Sequence, residues 1–173
     1  MCRRILLADE TFSSSWHNIE LPEIEVLILN FLTSYYSLPT FIEKMDQLKV
    51  LIIANYGSCP AEVTNFRLPG LLSSLKKIRL EHVSISFLSE SRLQFRNLRK
   101  ISLSTCIIGE TFRNCTFKFA YVFPNLEEID IHCCSDLAEL PEGLCDIICL
   151  KKLSISKCHG LESWMHFPKD LKG

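Results

Sequence analysis

Six copies of the pattern apolar-x-x-apolar-x-apolar run along the chain: Ile24/Leu27/Leu29, Leu48/Leu51/Ile53, Leu75/Ile78/Leu80, Leu98/Ile101/Leu103, Leu126/Ile129/Ile131 and Leu150/Leu153/Ile155. Their first positions lie 24, 27, 23, 28 and 24 residues apart. Within each copy the last two anchors are two residues apart, the spacing that places side chains on one face of a β-strand. One unit supplies a short strand but too little apolar surface to close a core. The units must therefore stack on one another.

This pattern and period are those of a leucine-rich repeat, shorter than the roughly 33–34 residues of ankyrin and tetratricopeptide arrays. The expected fold is α/β: a leucine-rich-repeat solenoid, or horseshoe, with a parallel β-sheet on the concave face. Short helical, 3-10 or irregular segments should form the convex side. The segments between strands support this reading. Leu38-Pro39-x-x-Ile42-x-x-Met45-x-x-Leu48 repeats at the same offsets as Leu140-Pro141-x-x-Leu144-x-x-Ile147-x-x-Leu150. Proline there suits a turn outside the sheet, where its missing N–H is tolerated. A third copy opens at Phe167-Pro168-x-x-Leu171. Residues 1–23 read as a polar lead or partial N-terminal repeat ending at Leu21-Pro22, and 24–173 as a repeat domain of six units and the start of a seventh. The chain is expected to stop inside that seventh unit.

Composition narrows the function class. Net charge is −1, which gives no reason to expect nucleic acid or an anionic membrane as partner. No apolar run reaches the ~18–20 residues of a transmembrane segment, and the apolar stretch after Arg3-Arg4 is too short for a secretory signal. Nine cysteines occur. Cys106, Cys134 and Cys158 fall on the ninth position of their repeats, the Asn-or-Cys slot, where a small side chain faces inward and its weak S–H serves backbone carbonyls. Cys145 and Cys149, beside Leu144 and Ile147, are expected to pack inside as well. Cys2, Cys59, Cys115 and Cys133 have no assigned role. The expectation is a reduced, cytoplasmic protein, in which the sequon Asn114-Cys115-Thr116 carries no glycan.

His132, Cys133, Cys134, Cys158 and His159 lie on adjacent repeats, but none of the cysteines has C-x₂-C spacing and two are committed to the core. No metal or other cofactor is expected. The Cys–His pairs lack an oxyanion hole or an orienting third group, and the motifs of phosphate loops, dinucleotide sites, serine hydrolases and zinc proteases are absent. The chain is read as a binding module, not an enzyme.

Between the anchors, alternate side chains should project from the concave face. Register alone places Val26, Ile28, Val50 and Ile52 there, with Asn30, Phe31 and Asn55 at the edge. Lys77, Arg79, Glu81, His82 and Lys100 follow, and then Glu128, Asp130, His132 and Lys152. The candidate protein contacts are Val26, Ile28, Val50, Ile52, Lys77, Arg79, Lys100, Glu128, Asp130 and Lys152. The charged rows can pair across strands. The row of exposed β-branched residues calls for a covering surface, from upstream residues or a partner domain.

Several stretches also carry a family resemblance: Asp9-Glu10-Thr11-Phe12, Ile24-Glu25-Val26-Leu27-Ile28-Leu29-Asn30-Phe31, Tyr36-Ser37-Leu38-Pro39, Leu48-Lys49-Val50-Leu51-Ile52 with Asn55-Tyr56-Gly57, and Leu75-Lys76-Lys77-Ile78-Arg79-Leu80-Glu81. Cys133-Cys134-Ser135-Asp136-Leu137, Leu140-Pro141-Glu142-Gly143-Leu144-Cys145 and Leu150-Lys151-Lys152-Leu153-Ser154-Ile155 add to them. Together they resemble the leucine-rich-repeat region of plant nucleotide-binding disease resistance proteins, most similar to the activated-disease-resistance group of helpers with an RPW8-like N-terminal domain. The resemblance implies a share in plant innate immunity. It implies a repeat region that holds a nucleotide-binding switch inactive and contacts protein partners, among them that nucleotide-binding domain and lipase-like immune signalling proteins. In a full-length receptor this would be cytoplasmic, peripheral to the plasma membrane or nuclear. The signalling domain and the phosphate loop of such receptors have no counterpart among these residues, so the resemblance implies a fragment. The alternative is a stand-alone repeat adaptor, such as the substrate-recruiting part of a ubiquitin ligase.

Overall fold

A computed structural model describes residues 5–8, 21–89, 93–113, 119–141 and 143–161. Their strands are β1 (Ile5–Ala8), β2 (Val26–Phe31), β3 (Tyr35–Ser37), β4 (Val50–Asn55), β5 (Ala61–Thr64), β6 (Lys77–Glu81), β7 (Val83–Ser84), β8 (Lys100–Ser104), β9 (Glu128–His132) and β10 (Lys152–Ser156). The fold is α/β. Its main sheet is open and parallel, in the order β1-β2-β4-β6-β8-β9-β10. A smaller parallel sheet, β3-β5-β7, follows the strands of the first units and continues through a bridge from Ser84 to Ile107.

The anchors explain the main sheet. In β2, β4, β6, β8 and β9 the second and third anchors of each unit point to one side and are buried, as are the first anchors Ile24, Leu48, Leu75, Leu98 and Leu126. Leu150, Leu153 and Ile155 of β10, the edge strand, are only partly buried. From β4 onward each strand is held to its predecessor in the same way. The carbonyl of one unit's second position accepts two N–H groups of the next: Lys49 and Val50 on Glu25 O (2.8 and 3.1 Å), Lys76 and Lys77 on Lys49 O (2.9 and 3.0 Å), and Arg99 and Lys100 on Lys76 O (2.8 and 3.0 Å). Glu127 and Glu128 on Arg99 O (2.8 and 2.9 Å), then Lys151 and Lys152 on Glu127 O (2.8 and 3.1 Å), complete the series.

The return segments follow a period of three. Pro39 O, Ile42 O and Met45 O accept in turn from the N–H groups of Ile42, Met45 and Leu48 at 3.2, 3.0 and 2.9 Å; Pro141, Leu144, Ile147 and Leu150 repeat the arrangement at 3.3, 3.3 and 3.1 Å. In a 3-10 turn, residues three apart eclipse one another, so the x-x-apolar spacing sends every third side chain into the core. Thr40–Lys44 and Leu144–Asp146 are 3-10 helices accordingly. The rule corrects one expectation: Cys145 is exposed and Cys149 only half-buried, because Leu144 and Ile147 take the inward places. Three residues before each first anchor stand Leu21, Met45, Leu72, Phe95, Phe123 and Ile147. Phe95 and Phe123 stack at 5.4 Å, and Phe66 at 6.0 Å and Phe119 at 4.9 Å extend an aromatic column through the return side. The third copy of the return pattern, from Phe167, lies outside the described residues.

The eighth position divides the units. In the last four it is His82, Thr105, Cys133 and Lys157, each left-handed with φ between 51° and 55°. The N–H groups of the first three donate to Ser104 O, His132 O and Ser156 O at 2.9, 2.9 and 3.0 Å. This twist turns the ninth residue inward: Val83, Cys106 and Cys134 are buried, and Cys158 is half-buried. The cysteine S–H groups donate as the slot requires, that of Cys106 shared between Leu80 O and Ser104 O (both 3.4 Å) and that of Cys134 to His132 O (3.5 Å). In the first two units the strand runs one residue further. Phe31 and Asn55 themselves turn inward and are buried. They are not at the edge of the open face, which corrects their expected placement. Phe31 stacks on Tyr36 at 4.2 Å. Asn55 donates to Cys59 O (2.7 Å) and His82 O (3.3 Å) and accepts from Gly57 N–H (2.9 Å).

Asn55→Leu removes three hydrogen bonds from a buried site and should cost about 2–4 kcal/mol of unfolding free energy, measurable by urea denaturation. Gly109 opens helix α1 (Gly109–Arg113), where an added Cβ would lie 2.0 Å from the Asp136 carbonyl oxygen. Gly109→Ala is expected to destabilise by at least about 2 kcal/mol, against a helix-propensity gain of about 1 kcal/mol in a site with room.

Candidate interaction face

The side of the main sheet opposite the core presents three rows, each running across the strands. Register pairs Ile5, Val26, Val50, Lys77, Lys100, Glu128 and Lys152 in the first. Leu7, Ile28, Ile52, Arg79, Ser102, Asp130 and Ser154 form the second. Asn30, Ala54, Glu81, Ser104, His132 and Ser156 form the third. All ten candidate contact residues thus sit in the first two rows, on one face. Val26, Ile28, Val50, Ile52, Lys77, Lys100, Glu128 and Asp130 are partly exposed, and Arg79 and Lys152 are exposed. Ala54 is buried.

The sequence reading left Ile5 and Leu7 in the lead segment. The structure adds them to the apolar end of both rows, where they are exposed. The apolar run Ile5-Leu6-Leu7-Ala8 was the available signal, too short and without the alternation that would have set Leu6, packed against the core, apart from its exposed neighbours.

The charges are distributed unevenly. Lys100 lies 2.7 Å from both Glu128 Oε2 and Asp130 Oδ2, and Ser102 Oγ donates to Asp130 at 3.4 Å. The hydrogen bonds to Asp130 and Glu128 hold the Lys100 ammonium above its ordinary pKa. Three of the ten candidate residues are therefore already paired within the sheet, one cation between two carboxylates. Arg79 pairs through Nε with Glu81. Lys77 has no ion pair or side-chain hydrogen bond among the described residues. Beside the face, the second positions carry their own ladder: Lys49 on Glu25 at 2.9 Å, and Glu127 between Arg99 at 3.0 Å and Lys151 at 2.7 Å. The Lys151 hydrogen bond and the two cations hold the Glu127 carboxyl below its ordinary value.

His132 Nδ1 shares a hydrogen bond with Ser156 Oγ at 2.8 Å. Among the described residues no three His, Cys, Asp or Glu side chains are gathered as a metal site. The hydrogen bond to Cys106 and burial push the Cys134 thiol up, which keeps it protonated and inert. No helix among the described residues is long and apolar enough to cross a membrane.

The chain is 44% identical over 146 residues to probable disease resistance protein At5g66900 of Arabidopsis thaliana, which covers 84% of the chain and 18% of that protein. It is 40% identical over 153 residues to At5g66890, also a probable disease resistance protein, covering 88% of the chain and 37% of the relative. The chain is homologous to a segment of plant disease resistance proteins. The disease resistance protein ADR1 of the same plant is a further relative, 36% identical over 157 residues, covering 91% of the chain and 19% of ADR1. The match thus spans most of this chain but well under half the length of these disease resistance relatives. No protein-family model matches the chain.

The ladder beside the face generates a pH prediction. Because folding lowers the Glu127 pKa, its contribution is present above the ordinary value of 4.5 and is lost as pH falls through the folded-state value. Glu127→Gln should therefore flatten the fall of the unfolding midpoint below pH 4.5 and leave the alkaline limb unchanged, in thermal unfolding followed against pH.

Proposed function

We propose that the chain is a leucine-rich-repeat solenoid, curved so that the three rows line its concave side, and that it serves as the protein-binding and autoregulatory repeat region of a plant intracellular immune receptor. The observation that carries the reading is the open face itself. Two registered rows place six apolar side chains side by side at one end, where a folded protein otherwise exposes polar groups. The sequence relationship to disease resistance proteins supports the biological setting. We read the role as binding, with no catalytic step.

By the resemblance, the partners are the nucleotide-binding domain of the same receptor and lipase-like immune signalling proteins, met in the cytoplasm, at the inner side of the plasma membrane or in the nucleus. A repeat region resting on the switch domain would hold it inactive until another partner displaced it.

The test is titration calorimetry of the purified chain with the nucleotide-binding domain of such a receptor and, separately, with a lipase-like partner. Val26→Lys with Ile52→Lys should abolish at least one association, and Glu43→Lys, on the return side, should leave both unchanged. No association with either titrant, or a double variant that binds as the parent does, would defeat the reading.

A further inference from the structure

The apolar end of the face has dimensions and a charged border that select one kind of occupant. Resting on the binding role proposed above, we infer that Ile5, Leu7, Val26, Ile28, Val50 and Ile52 receive an amphipathic helix lying across the strands, apolar on three successive turns and carrying a carboxylate one turn beyond.

Direction comes from the charges. The patch spans β1, β2 and β4, and its next neighbour in both rows is cationic: Lys77 beside Val50 and Arg79 beside Ile52. A segment using both the apolar surface and these cations must run across the strands, since along a strand each row position is followed only by Asn30 or Ala54. Spacing then decides the conformation. Neighbouring strands are about 4.8 Å apart and successive helical turns about 5.4 Å, so three turns stay within about 1.2 Å of three strands. An extended segment laid the same way places same-side residues about 6.7 Å apart, and by the third strand it is about 4 Å out of step.

The carboxylate follows from the uneven pairing. Lys77 is half-buried and has no ion pair among the described residues. Arg79 is paired with Glu81 through Nε alone, which leaves its terminal N–H groups able to donate. A cation beside an apolar contact is a cost to binding unless the partner supplies the opposite charge. One strand further, Lys100 is already saturated by Glu128 and Asp130, so a second acidic turn would meet carboxylates and be repelled. The charge sequence of the sheet therefore fixes register: apolar turns over β1, β2 and β4, and one acidic turn over β6.

The experiment titrates the 173-residue chain into a fluorescent, helix-forming synthetic peptide with leucines on three successive turns and a glutamate one turn beyond, followed by anisotropy. Saturable binding is expected, weakened about tenfold by Lys77→Glu and restored when the peptide glutamate is exchanged for lysine. Lys77→Gln should give an intermediate loss and guards against a folding defect in the reversed variant. A peptide of equal composition with leucines at alternating positions should bind at least about tenfold more weakly. If the alternating peptide binds as well, or the charge exchange fails to restore binding, the inference falls. The binding role stands in that event provided Val26→Lys with Ile52→Lys still abolishes association with the receptor domain or the lipase-like partner.

Discussion

Every strand of the main sheet from β4 onward is started by one shared carbonyl. The second-position oxygen of a unit accepts the N–H groups of both the second and third residues of the next, so a unit's backbone is satisfied only when its neighbour is in place. A buried N–H left without this acceptor costs about 1–3 kcal/mol, and the arrangement recurs at five successive interfaces. It permits one register. A slip by one residue would reverse every strand, placing anchors outward and charges in the core. The three rows of the open face are thus a by-product of the same bonds that stack the core.

Given that register, the difference between the two ends of the molecule comes from one backbone choice. Where the eighth residue is left-handed, the chain leaves the sheet at once and the ninth side chain turns inward. Where it remains extended, Phe31 and Asn55 fill the space instead, and Leu32 and Tyr56 are left exposed. The left-handed positions carry His82, Thr105, Cys133 and Lys157, residues for which that conformation costs on the order of 1 kcal/mol or more. At His82, Thr105 and Cys133 the N–H bond to the following strand and the burial of the next side chain offset it.

The anchors, the strand order they imply and the face rows were legible because period and alternation are carried by many residues at once. Cys106 and Cys134 were legible for the same reason, as members of a counted position. What escaped was local. β3, β5 and β7 are two to four residues long, too short for a period-two signal, and Tyr35-Tyr36-Ser37 reads as loop. The left-handed eighth positions escaped because none of the four is a glycine or asparagine. Cys145 was misplaced because neighbourhood to Leu144 and Ile147 was taken as burial, whereas a three-residue turn sends the residue between them outward. The pairing of Lys100 with Glu128 and Asp130 was anticipated only as a possibility of adjacent rows; its consequence, a cation at Lys77 left to face the apolar end, needed side-chain positions.

Asp136 reaches back one unit to accept the N–H groups of Ile108 and Gly109 through a single oxygen, at 2.9 and 2.6 Å. Its own carbonyl occupies the space where a side chain on residue 109 would stand. Gly160 stands in the same relation to the unit before it, blocked by the carbonyls of Ser135 and Leu137. A glycine in one unit is thus dictated by the backbone path of another, and a side chain there is admitted only if the adjoining unit shifts. Inserting or removing a single unit here would set a different backbone against these glycines. For this stretch of the sheet the smallest piece that can be exchanged with its packing intact is a pair of adjoining units.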